Sequence, residues 1–291
     1  MKIHPDCRPC LIKQMETTAR AAGAGTRTLQ KVAARVVSEL ERVWNDDLSP
    51  PVVSAPLYHL TARICDCEDP YLSEKVSYTL EALKFLPTVQ ALVEGSSDPF
   101  EAAVRAAIAG NLIDFGTGIH KSGADGSRIN LEETLQQYLA KTLFRDDIPA
   151  LRDKVDKAET ILVIGDNAGE TVFDRPLLKL LGPAEVVYAA RETPIINDAT
   201  VKDASLAGVE KEATLVSSGS RMPGVVLEDC SDTFRDIFMN ADLIISKGQG
   251  NFETLTELSP DGRIFMLFTV KCPVAADHLG AAMGDMVVMR W

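Results

Sequence analysis

Up to about Ala158, apolar residues recur every three or four positions along the chain. "CLIKQMETTARAAG", "TLQKVAARVVSELERVW", "LSEKVSYTLEALKFLPTVQALV" and "PFEAAVRAAIAGNLIDF" each gather them on one helical face. "NLEETLQQYLAKTLF" and "PALRDKVDKAE" continue the rhythm. Asp98 with Pro99 opens one of these helices, and Gly23 or Gly25 closes another. The breaks between them, such as "NDDLSPP" and "GTGIHKSGADGSR", are loops of Gly, Pro and Asp.

From Glu159 the rhythm changes. "TILVIG", "EVVYAA", "ATLVSS", "ADLIIS", "RIFMLFTV" and "DMVVM" are short apolar runs bounded by Gly or polar clusters. Between most of them lie helix-length segments, such as "TVFDRPLLKLLG" and "SDTFRDIFMN". Uninterrupted apolar strands alternating with helices predict a mainly parallel sheet covered on both faces. The expected fold is α/β: a mainly helical domain over residues 1–158, packed on a doubly wound, Rossmann-like α/β/α sandwich over residues 159–291.

Composition narrows the class. The 291 residues are 46% hydrophobic and 25% charged, ordinary for a globular protein with a sizeable core. The net charge of −12 argues against a nucleic-acid partner, which normally meets a basic face. No stretch reaches the roughly 18 apolar residues of a membrane span, and "MKIHPDCRPC" has no apolar signal core. The expectation is a soluble, cytoplasmic protein.

In such sheets, ligands bind beyond the carboxyl ends of the strands, near a topological switch point. The first run is followed by Gly165-Asp166-Asn167-Ala168-Gly169-Glu170, and the second by Arg191, Asn197 and Asp198. The fourth ends in Ser246-Lys247-Gly248-Gln249-Gly250-Asn251, and the fifth in Lys271. Asp166, Asn167 and Asp198 offer hard oxygens, suited to Mg²⁺ or Mn²⁺ more than to zinc. Arg191, Lys247, Lys271 and the backbone around Gly248 and Gly250 offer positive charge and donors, which suit a phosphate. An Asp after a parallel strand often only caps the next helix, and Thr171 with Asp174 resembles a capping box. Capping does not explain acids and lysines at successive strand ends. A divalent ion beside a phosphate site is equipment for phosphoryl chemistry.

Other familiar sites are missing. No Walker loop is present, and Gly248-Gln249-Gly250 carries Glu253 where a dinucleotide fingerprint needs its third glycine. No D-x-D-x-T follows a strand, and no H-E-x-x-H occurs. His4, His59, His120 and His278 are scattered.

"HPDCRPCLIKQ", "GNLID", "GDNAGE", "PIINDAT" and "SKGQGNFE" occur in that order across almost the whole chain. Together they resemble the metal-dependent damage-control phosphatases, a family long catalogued as a domain of unknown function. The Cys7-x-x-Cys10 pair resembles its compact prokaryotic and archaeal branch. The resemblance implies a helical domain on an α/β/α sandwich, with a divalent metal in the cleft between them. It implies Mg²⁺ or Mn²⁺, with Co²⁺ or Ni²⁺ as alternatives, held by Asp166, Asn167 and Asp198. Lys247 carries over as the phosphate-side lysine, and Asn111 and Asp114 as residues closing the pocket. The substrate implied is a small phosphorylated metabolite, a sugar phosphate or a phosphorylated cofactor precursor. Asp166 and Lys247 are thus the expected catalytic pair, with the attacking group, water or a carboxylate, left open.

Cys7 and Cys10 with Cys65 and Cys67 could also make a four-thiolate structural zinc or iron site, although Cys-x-Cys departs from ordinary zinc spacing. Two rival readings remain. One is a nucleotide- or SAM-binding transferase on the same fold, which would want a bare, Gly-rich first turn. The other is a non-catalytic, zinc-stapled binding module.

Overall fold

The computed structural model describes residues 1–110 and 131–291. Three helices come first: α1 (Cys7–Ala21), α2 (Thr26–Val43) and α3 (Pro50–Cys65). They close a core of their own around Met15, Val36 and Leu57. Helix α3 follows Ser49 with two prolines in its first turn, where the missing N–H groups have no helical partner to lose. Then come α4 (Leu72–Glu94), α5 (Pro99–Ala109), α6 (Leu131–Ala140), β1 (Arg145–Asp146) and α7 (Ile148–Val155). The Asp98 side chain caps α5 by accepting from the Glu101 N–H.

The rest alternates: β2 (Thr160–Ile164), α8 (Thr171–Leu178), β3 (Glu185–Ala190), α9 (Val201–Ala207) and β4 (Thr214–Ser217). It continues with α10 (Asp232–Asn240), β5 (Leu243–Lys247), α11 (Gln249–Leu255), β6 (Ile264–Thr269), α12 (Pro273–Leu279) and β7 (Met286–Arg290). The seven strands form one sheet in the order β1-β7-β6-β5-β2-β3-β4, parallel except where β7 runs against β6.

Both faces are covered, so the strands read as unbroken apolar runs. Ile161 and Val163 of β2 point into a core shared with α4, α5, α7 and α8. Leu162 and Ile164 point the other way, into a core shared with α10, α11 and α12. Alanine-rich α5 buries nearly every residue from Ala102 to Ala109 in the first of these layers. A buried ion pair fastens α4 to α9: Lys75 Nζ lies 2.8 Å from Asp203 and 2.7 Å from Asp69.

After β2 the chain winds outward through β3 and β4, then returns to β5 on the other side of β2. That reversal opens the crevice where open α/β sheets bind ligands, at the carboxyl ends of β2 and β5. No described helix is long and apolar enough to cross a membrane.

Candidate active site

Two post-strand segments are zipped together at this crevice. The Ala199 N–H donates to the Asp166 carbonyl at 2.7 Å, and the Ala168 N–H to the Asn197 carbonyl at 2.9 Å. An antiparallel bridge joins Asn167 to Asp198. This ladder brings Asp166, Asn167 and Asp198 to one spot, although about thirty residues separate the first from the last. Ile196, two residues before Asp198, adopts φ +47°, a conformation that β-branched side chains rarely accept. Such strain persists where the surroundings over-determine the backbone. Here the preceding Ile195 is buried in the α1–α3 core.

The three side chains are all buried. Asn167 Nδ2 donates to Asp166 Oδ2 at 3.1 Å and to Glu170 Oε1 at 2.6 Å. Both amide hydrogens are thereby spent, which leaves Oδ1 as the atom Asn167 can offer to the cleft it lines. Asp198 Oδ2 accepts from Arg191 Nε at 2.8 Å. Burial, reinforced by the Asp198 charge, pushes the Asp166 carboxyl up to about 7. Burial raises Asp198 and Glu170 as well, with Arg191 opposing at Asp198 and Asp166 adding at Glu170. Among the described residues, buried Glu170 Oε2 has no hydrogen-bond partner. An all-oxygen donor set with surplus buried negative charge fits a hard divalent cation.

The expected phosphate-side residues divide. Arg191 is fully buried, with Nε on Asp198 and Nη2 donating to Asn251 Oδ1 at 2.9 Å. Its charge goes to holding Asp198. Lys247 is also buried and lies outside the cleft lining. Its ammonium donates to the Asp174 carboxylate and, at 2.8 Å, to the Ala107 carbonyl at the end of α5. Burial alone would lower this lysine; Asp174 and Glu170 outweigh that and hold it above its usual value. Lys247, expected beside the phosphate, is thus placed outside the cleft lining with its ammonium on Asp174, as a buried ammonium needs its own counter-charge. Lys271 is exposed and, among the described residues, is the one side-chain cation lining the cleft.

Gly248 and Gly250 serve close packing. A Cβ on Gly248 would lie 2.1 Å from the Asp166 carboxyl carbon, and one on Gly250 would lie 2.2 Å from the Pro223 carbonyl oxygen. Asn111, Asp114 and His120 lie outside the described residues.

Two residues of "SKGQGNFE" to which the sequence assigned no role also contribute. Asn251 is completely buried: Nδ2 donates to the Gly165 and Lys247 carbonyls, and Oδ1 accepts from Arg191 and the Val225 N–H. It pins the ends of β2 and β5 together. Glu253, which closes that motif, also lines the cleft.

The cleft, about 450 Å³, opens between this polar floor and a wall from α1 and α3 that includes Leu11, Pro51 and Tyr58. Cys7 and Cys10 belong to that wall, and Cys272 lies across from them. Burial raises the thiols of Cys7 and Cys10, with nearby Glu253 and Cys272 adding to it. Cys65 and Cys67 are elsewhere, at the far end of α3, and Cys67 faces a groove beside His59 and Arg221. The 16-residue helix puts about 24 Å between its two ends. The structure thus does not assemble the four-thiolate site. Among the described residues, no three thiolates, imidazoles or carboxylates gather to hold an ion. The Asp166–Asn167–Asp198 set has two carboxylates and an amide.

Residues 3–287 match the damage-control phosphatase ARMT1-like domain. The chain belongs to that family. A damage-control phosphatase of Pyrococcus horikoshii is 35% identical over 100% of this chain and 98% of its own length. A damage-control phosphatase of Archaeoglobus fulgidus is 32% identical over 99% of this chain and 98% of its own. The crystal structure of a DUF89 family protein from P. horikoshii superposes with a TM-score of 0.90 at 35% identity, covering 100% of this chain and 99% of that one. The expected family and α/β fold both stand, and the two archaeal relatives named as damage-control phosphatases match essentially the whole chain.

Proposed function

We propose that this family member is a divalent-metal-dependent phosphatase that hydrolyses phosphoric monoesters of small metabolites. Asp166, Asn167 and Asp198 would hold the ion. The observation that carries this reading is the zipped pair of segments, which buries the Asp166 and Asp198 carboxylates at one spot, with a single guanidinium, Arg191, paired to Asp198. When bound there, such an ion would supply positive charge to the phosphoryl oxygens of the ester.

The chain's own residues supply the rest. Arg191 and Asn251 orient Asp198, and Glu170 turns the Asn167 amide. Gly248 leaves room for the Asp166 carboxylate. Lys271, in place of Lys247, is the cation that meets the phosphate of a bound ester. Segments before residue 158 give the wall against the organic group, and those from 159 onward give the ion site. A cleft of about 450 Å³ suits a metabolite of modest size. The Asp166 carboxylate fills the place where a dinucleotide-binding turn needs bare backbone, which speaks against the transferase reading.

The test is a panel of phosphorylated metabolites and an aryl phosphate, each with Mg²⁺, Mn²⁺, Co²⁺ and Ni²⁺. Turnover that chelator abolishes and metal restores is expected. A folded protein that binds no divalent ion and releases no phosphate from any ester would overturn the reading.

A further inference from the structure

Glu253 is a buried carboxylic acid in the cleft for which the ion site has no use. It lies on α11, five residues after Gly248, and lines the same cleft as Asp166, Asp198 and Lys271. One of its oxygens is held: Oε1 accepts from Gln249 Nε2 at 2.7 Å, a pair one helical turn apart. Gln249 is fixed in turn, since its Oε1 accepts from the Lys271 N–H at 2.8 Å and its Nε2 also reaches Cys272 Sγ. The carboxyl is therefore aimed by a secured amide. Oε2 has no hydrogen-bond partner among the described residues, and it is not among the sealed polar atoms.

A buried glutamate that serves only structure is normally paired with a cation or fully hydrogen-bonded. Among the described residues no lysine or arginine side chain pairs with Glu253; the nearby cation is the Met1 ammonium, which bonds the Glu253 main-chain carbonyl and forms its ion pair with Glu257. Burial raises its carboxyl to about 7; the Gln249 hydrogen bond and the Met1 ammonium oppose, the Asp166 charge adds, and a proton is available near neutral pH. Hydrolysis of an alkyl phosphate calls for such a proton, because the departing alkoxide is a strong base.

We propose that Glu253 is the general acid that protonates the leaving oxygen, through Oε2. This rests on the phosphatase reading. The bond between phosphorus and the ester oxygen breaks, and its electron pair stays on that oxygen, which takes the proton from Glu253. The phosphoryl group passes to the oxygen of water, whose proton goes to solvent, and Glu253 regains a proton from solvent. The sum is ester plus water giving alcohol plus inorganic phosphate.

The experiment compares wild type with Glu253→Gln on two esters, both with Mn²⁺. One is p-nitrophenyl phosphate, whose leaving group departs without a proton; the other is a sugar phosphate that the wild type turns over. The variant keeps the shape and the hydrogen bond to residue 249. Its kcat/KM should fall on the order of 10²–10⁴-fold on the sugar phosphate and only a few-fold on the aryl ester. Equal losses on both, or none on either, would overturn the proposal. A second measurement needs no variant. Across aryl and alkyl esters, wild-type kcat/KM should depend weakly on leaving-group basicity; a steep fall with rising basicity would also overturn it. Wild type inactive on every ester sinks the phosphatase reading itself, a different failure.

Discussion

Gly248→Ala tests whether the ion site is shaped by the absence of one carbon. Gly248 adopts φ +86° and ψ 156°, a region essentially reserved for glycine. Holding alanine there costs roughly 1–3 kcal/mol. The new methyl would stand 2.1 Å from the Asp166 carboxyl carbon, where ordinary contact begins at 3.4 Å, a shortfall of about 1.3 Å. The backbone on both sides is pinned by Asn251, so the carboxylate is what gives way. A misplacement of about 1 Å at a reacting centre costs on the order of 10²-fold in rate. The control is Gly182→Ala: φ is +76°, yet nothing lies within 4 Å of the added carbon. Both variants should lose melting temperature, at roughly 2–4 °C per kcal/mol for a chain of this size. Only Gly248→Ala should lose kcat/KM on p-nitrophenyl phosphate and the rise in melting temperature that Mn²⁺ gives the wild type. A Gly248→Ala protein with kcat/KM within a factor of a few of wild type would refute the reasoning.

Lys247→Ala strands the buried Asp174 carboxylate and should cost about 3–5 kcal/mol. An unchanged melting curve with a collapsed kcat/KM would instead return this lysine to the phosphate. Asp166→Asn should abolish turnover yet make the metal-free protein more stable at pH 8. The Asp166 carboxyl is raised from 3.8 to about 7, so the folded state holds its proton longer and metal-free stability falls as pH rises from about 4 to about 7. The amide escapes that loss; a lower metal-free melting point at pH 8 would contradict the assignment. Replacing Cys65 and Cys67 together by Ser should leave the metal content of purified protein unchanged and stability within about 0.5 kcal/mol. Loss of bound zinc from that variant would revive the four-thiolate site.

The strands of the sheet were legible because burial on both faces writes them as unbroken apolar runs. Helix α3 was not: Pro50, Pro51 and Pro56 mark "PPVVSAPLYHLTARIC" as broken, although two of them are first-turn prolines. Helix α12 is only seven residues, and β1 only two, too short for any period to show. Asp166, Asn167 and Asp198 could be gathered from sequence because each follows a strand. The destinations of Arg191 and Lys247 could not, since Asp198 and Asp174 become their partners only in three dimensions. Asn251 and Glu253 stood in view within "SKGQGNFE", but their roles were hidden for the same reason, since the partners of Asn251 and the cleft beside Glu253 exist only in three dimensions.

The two walls of the cleft are mounted on different hydrophobic cores: the α1–α3 bundle around Met15 and Leu57, and the sandwich around the sheet. Over evolutionary time this makes chemistry and taste separately heritable. On the proposed reading, exchanges at the cleft-lining Leu11, Ser54 or Tyr58 would reshape what organic group is accepted, while Asp166, Gly248 and Asn251 stay put. The freedom has a boundary at Ile195, whose side chain roots the Asp198 loop inside the helical core. A lineage that enlarges that core would press on the ion site, so drift in the helical wall should halt at the residues around Ile195.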